Sequence, residues 1–139
     1  MSKLLVTFAV GDHFYGLPVE RVQEVLPQRV TTLVPLAPAD VAGLVNLRGQ
    51  VVESLDLRSR LGLEPVLAGT ERMSVVVRNG ANPVSLVVDR IGDVAVVDET
   101  QFEEPPSTLD SSLRALIVGA YKLPGQLLLA LDVDAVTVE

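Results

Sequence analysis

The chain repeats itself, and that limits its architecture more than any other feature. Residues 43–57 read GLVNLRGQVVESLDL and residues 119–133 read GAYKLPGQLLLALDV. Without a gap, Gly43, Leu47, Gly49, Gln50, Leu55 and Asp56 align with Gly119, Leu123, Gly125, Gln126, Leu131 and Asp132. A second echo precedes each copy: LPVERVQEV at 17–25 and LVVDRIGDV at 86–94. Both echoes come in the same order. Solenoid repeats run to roughly 20–50 residues, and this period is about half the chain. The expected organisation is one domain over 1–139, with repeat halves of about 1–69 and 70–139 forming two similar subdomains around a shared core.

Local signals point to strands. Residues 4–10 and 13–17 flank Gly11-Asp12, a hairpin signal. Residues 43–47 and 51–55 flank Arg48-Gly49-Gln50, and 73–77 and 83–88 flank Asn79-Gly80. Residues 91–97, 115–121 and 126–131 add further strands. Asp56 and Asp132 are placed to cap short helices, the first closed by Gly62. Pro18 and the spacing of Val19, Val22, Val25 and Leu26 predict a short helix. Residues 29–38 read as extended, 64–70 as a connector and 101–112 as a loop. Many short strands with frequent turns predict an all-β barrel or sandwich.

Composition narrows the function. Hydrophobic residues make up 48% but aromatics only 4%, so Val, Leu, Ile and Ala must build the core. So large an aliphatic surplus also predicts apolar surface kept for a partner. The formal net charge of −7 argues against nucleic acid, whose binders need a basic footprint. Absence of cysteine removes disulfides and thiolate chemistry. The apolar start, LLVTFAV, is too short for a signal core or a membrane span. A soluble cytoplasmic protein is expected.

No catalytic set emerges. His13 is the only histidine and has no ligand partners in sequence, so a turn-flanking surface role outweighs metal binding. Nucleophile-elbow, Walker and zinc-helix motifs are absent. The acids Glu103-Glu104 and Asp132/Asp134 read as solvated or capping groups. The expectation is a protein that is no enzyme, with no cofactor and no metal.

Specialisation shows where the copies differ. Arg48 stands against Pro124, and Glu53 against Leu129. A guanidinium at a hairpin tip beside Gly49 can fork onto a partner's carboxylate or carbonyls; it can equally be a solvated turn arginine. Glu24 is a further candidate, with an ordinary solvent-facing charge as its plain reading.

These residues resemble the CheW family, the coupling adaptors of bacterial chemosensory arrays. The resemblance runs through FAVGDHFYGLPVERVQEVL, GLVNLRGQVVESLDLRSRLGL, SLVVDRIGDV and ALIVGAYKLPGQLLLALDV. It implies an all-β fold of two small five-stranded β-barrel subdomains on a shared apolar core, with a few short helices. The family's barrels can exchange strands, so a sequence half need not equal one barrel. It also implies a non-enzymatic scaffold that bridges the cytoplasmic tip of a methyl-accepting chemoreceptor to the regulatory domain of a CheA-type histidine kinase. By motif position, Val22, Glu24, Arg48 and Gly49 fall where the family has residues important for receptor or kinase coupling. One departure stands out: the family usually has Pro where this chain has Glu53. A strand Pro marks an edge, so Glu53 suggests an altered edge or interface. That leaves two alternatives: an adaptor of a variant chemosensory system with another output, such as surface motility, and an oligonucleotide-binding barrel.

Overall fold

Tight turns and β-branched runs build this molecule almost entirely from hairpins. In the computed structural model, residues 2–28, 41–67, 69–80 and 82–137 are described. The elements are β1 (Ser2–Val10), β2 (His13–Pro18), β3 (Val22–Pro27), β4 (Val41–Leu47), β5 (Gln50–Asp56), α1 (Leu57–Arg60), β6 (Met73–Asn79), β7 (Asn82–Val88), β8 (Arg90–Asp98), β9 (Phe102–Glu103), α2 (Ser111–Arg114), β10 (Ile117–Leu123), β11 (Gln126–Leu131) and α3 (Val133–Val136). The expected extended stretch at 29–38 lies outside the described residues.

The strands form two sheets, ordered β8-β1-β2-β11-β10-β9 and β3-β6-β7-β5-β4. The repeat maps one order onto the other: β8 on β3, β1 on β6, β2 on β7, β11 on β5 and β10 on β4. Each sheet therefore takes strands from both sequence halves. Hairpin β1–β2 sits among β8 to β11, and hairpin β6–β7 among β3 to β5. The all-β class holds, but the sheets do not close into barrels. Among the described residues no ladder joins β3 to β4, and β9 takes the outer edge of β10 through Ala120↔Glu103 and Tyr121↔Phe102. Register shifts at Val22/Glu24 in β3 and opposite Val6/Phe8 in β8 sit on these edge strands. Such bulges twist an edge and interrupt its pairing.

The main core lies between the sheets. Phe8, Tyr15, Leu17, Leu129 and Leu131 of the first pack with Leu55, Val75, Val77, Leu86 and Val88 of the second. Each such side chain contributes about 1.5–3 kcal/mol by leaving water. A smaller cluster, Leu5, Val97, Tyr121, Leu128 and Ala130, fills the far side of the first sheet. Burial pushes the Tyr15 phenol up to about 12.

Helices are single turns, placed by their caps. The Asp56 carboxylate accepts from Arg58 N at 3.0 Å, and the Asp132 carboxylate from Asp134 N at 3.1 Å and Ala135 N at 3.2 Å. Residues 101–112, expected as loop, include β9 and the start of α2.

The helix expected from Pro18 through Leu26 is absent. Pro18 ends β2, Val19–Arg21 make one 3-10 turn, and the rest is β3. Past the bulge β3 alternates with period two: Glu24 and Leu26 are half-buried, while Val25 and Pro27 are exposed. The β-branched Val22 and Val25 favour that outcome. The echo LVVDRIGDV, itself strand, carried the same signal.

A network of paired charges fixes the ends of β5, β7 and α1. Arg72 forks onto Asp56, with Nη1 at 3.0 Å from Oδ2 and Nη2 at 2.8 Å from Oδ1. Arg58 forks onto Asp89 through Nε and Nη2, at 3.0 Å and 2.9 Å. Gly11 N also donates to Asp89, at 2.8 Å, tying in the β1–β2 turn. Burial alone would raise both carboxyls, but the arginine forks and backbone donors outweigh it and hold each below its ordinary value.

Candidate functional site

The β4–β5 turn closes on the pair Leu47↔Gln50, leaving Arg48 and Gly49 as a two-residue loop. Both have positive φ, 53° and 85°. That is the type I′ geometry, whose twist matches the flanking strands. Holding Arg48 in the left-handed region costs roughly 1–2 kcal/mol. Asn46 Oδ1 accepts from Gly49 N at 2.9 Å and steadies the loop. The corresponding loop, Pro124-Gly125, closes on Leu123↔Gln126. Proline fixes φ near about −65°, so only Gly125 turns positive, at 78°. That loop is of type II. The two tips match in length, differ in backbone shape, and only one presents a guanidinium.

Arg48 Nη1 lies 3.0 Å from Glu24 Oε2. Glu24 is on β3 and Arg48 at the end of β4, the two edges of the same sheet. A side-chain ion pair thus spans a gap that no backbone ladder closes. The Arg48 side chain is 82% exposed and that of Glu24 only 20%. The carboxylate is a half-buried anchor and the guanidinium is its exposed end, with N–H donors left facing solvent.

Three of the four candidate residues therefore converge: Glu24, Arg48 and Gly49. Val22 does not join them. It pairs with Val77 and packs against the main core, while the bulge sets Glu24 opposite Val76. Val76 and Val77 are adjacent and so face opposite ways; their partners Glu24 and Val22 therefore project from opposite sides of β3, on either side of the bulge.

Glu53 is not on an edge. It pairs with Leu44 of β4 on one side and Val84 of β7 on the other. His13 is exposed at the β1–β2 hairpin, its ring edge-on to Tyr15 at 6.4 Å. Among the described residues no group of three or more His, Asp or Glu side chains is placed to hold a metal, and no helix is long and apolar enough to cross a membrane.

The apolar surplus also reaches the surface, on β1 and β8. Leu4 and Val96 are cross-strand partners on β1 and edge strand β8, with Val94 two residues before; all three are exposed. Val alternating with Asp and Ala over 93–96 was the available signal.

Residues 4–139 match the family described as CheW-like domain. The chain belongs to the CheW-like domain family. It is 27% identical over 132 residues to a chemotaxis protein CheW of Rhizobium meliloti (strain 1021), covering 95% of this chain and 85% of that one. It is 28% identical to the Bacillus subtilis (strain 168) chemotaxis protein CheW, with the same coverage. Protein PilI of Pseudomonas aeruginosa is 28% identical over 116 residues, 84% of this chain and 65% of the relative. The fold is similar to the crystal structure of scaffolding protein TtCheW from Thermoanaerobacter tengcongensis, with a TM-score of 0.84, 28% identity, and coverage of 95% of this chain and 90% of that one. A scaffold or adaptor of the CheW type is the class to which these findings assign it.

Proposed function

We propose that this chain is a non-enzymatic cytoplasmic adaptor that couples the cytoplasmic tip of a chemoreceptor to the regulatory domain of a CheA-type histidine kinase. The observation that carries the reading is the Glu24–Arg48 pair at 3.0 Å, which holds an exposed guanidinium at a rigid turn in a CheW-like chain. Arg48 presents a directional donor set to a carboxylate or carbonyl of the partner. Glu24 and Gly49 position it, and Val22 supports β3 from the core side.

Similarity to protein PilI supports a second reading, an adaptor of a variant chemosensory system with altered partners. Both readings are tested by binding the purified receptor tip and kinase regulatory domain of the same organism, separately and together. Coupling requires both to bind at once. Binding of neither, with capture of components from another chemosensory cluster, favours the variant.

A further inference from the structure

The repeat places two rows of side chains in equivalent positions, and they have different fates. In the first sheet Phe8, Tyr15, Leu129 and Ala120 lie side by side across four strands. All four are buried in the core. In the second sheet the corresponding row is Val77, Val84, Glu53 and Leu44. Val77 and Val84 remain in the core, but Glu53 and Leu44 are half-buried. There the face opens into a cleft of about 400 Å³ between the β4–β5 and β6–β7 turns.

The lining of the cleft is chemically specific. Leu44 and Val84 give apolar walls, and Glu53 sets a carboxylate where the other half has leucine. Gln50, Asn79 and Asn82 add side-chain amides near the rim. Asn79 is oriented by its own bond, Nδ2 to Thr137 Oγ1 at 2.7 Å. None of the hydrogen bonds or ion pairs among the described residues engages the Glu53 carboxylate.

We propose that this cleft receives an arginine side chain from the protein partner, with Glu53 as its counter-ion. The apolar walls match the aliphatic stem and the weakly hydrated guanidinium faces. The carboxylate and amide oxygens match its fork of donors. Lysine, a compact and strongly hydrated charge, fits such mixed walls less well. The cleft shares strands β4 and β5 with the Arg48 tip, so a partner on that hairpin reaches both. The surface is reciprocal: Arg48 seeks an acceptor, Glu53 a donor. Placing the arginine on a receptor or kinase domain rests on the coupling function proposed above; the cleft's preference for a guanidinium does not.

The test has two arms. In the first, the isotope-labelled full chain is titrated with N-acetyl-arginine amide, and with N-acetyl-norleucine amide as the uncharged control, while backbone amide resonances are followed. The arginine probe should shift Glu53, Asn79 and Asn82 saturably at about millimolar concentration. Glu53→Gln should abolish those shifts with an unchanged thermal melt. Equal shifts from the norleucine probe, or an unchanged titration in the variant, overturns the proposal. In the second arm, Glu53→Gln should weaken binding of the receptor tip or kinase regulatory domain roughly three- to tenfold. Undiminished binding of both overturns the role in partner contact. If the wild type binds neither domain, the coupling function fails, and the first arm still decides the cleft.

Discussion

Arg48 and Glu24 meet at 3.0 Å across the two edges of one sheet, yet they occupy different environments, the arginine 82% exposed and the glutamate 20%. Exposed pairs contribute only about 0–1 kcal/mol to stability. The consequence of this pair is orientation: it fixes one end of the guanidinium and leaves the rest for a partner.

Arg48→Ala should therefore leave the thermal melt nearly unchanged while weakening capture of the receptor tip or the kinase domain. Glu24→Lys sets two cations together and should lower kinase stimulation without unfolding. Unchanged binding in Arg48→Ala removes Arg48 from the site; loss of cooperative melting in Glu24→Lys makes Glu24 a structural residue.

The turn itself separates backbone from side chain. At φ 53°, glycine fits and proline does not. Arg48→Gly should be more stable than Arg48→Ala by about 1 kcal/mol, since only alanine bears the left-handed cost. Arg48→Pro should be the least stable of the three, because it forces the loop toward the type II shape of Pro124-Gly125. Urea denaturation ranks them; a proline variant as stable as the glycine variant contradicts the turn assignment.

Acid should unlock the charge network. Asp56 and Asp89 are both held below their ordinary values in the folded state. The stability they contribute is thus fully present above the unfolded carboxyl value of about 3.9 and is lost as pH falls through the lower folded values. Asp56→Asn keeps the cap but breaks the fork, and should cost about 2 kcal/mol at neutral pH while flattening the decline in acid. Denaturation curves from pH 7 down to about 3 check both; an Asn variant with the wild-type acid limb contradicts the network's role.

Glu53→Leu copies the residue that the other half uses. It should raise the melting temperature, because a core-facing carboxylate becomes apolar area, and it should abolish the arginine-probe shifts. A drop in stability would mean that the cleft is not continuous with the core. Stability given up for a contact is a common feature of binding sites.

Much of this arrangement was legible in residue order. The repeat aligns Glu53 with Leu129 and Arg48 with Pro124, and the strand register sets those pairs in equivalent positions. The caps Asp56 and Asp132 and the turn at Arg48-Gly49 followed from local chemistry. Sheet membership did not, because it depends on contacts far apart in sequence: nothing within 1–18 says that its hairpin lies beside β8 and β11. The 19–26 segment is ambiguous because its valines recur at helical spacing while their β-branching favours a strand, and only pairing with β6 decides between them. The ion pair was invisible for the same reason. Glu24 and Arg48 were each singled out, but their meeting needs the curl of a whole sheet.

The most direct test is a three-component binding measurement with receptor tip, kinase regulatory domain and this chain as wild type, Arg48→Ala and Glu24→Lys. The wild type should join both domains in one complex, and each variant should weaken that complex while melting as a folded protein. A wild type that binds neither domain, or variants that assemble as well as the wild type, contradicts the account.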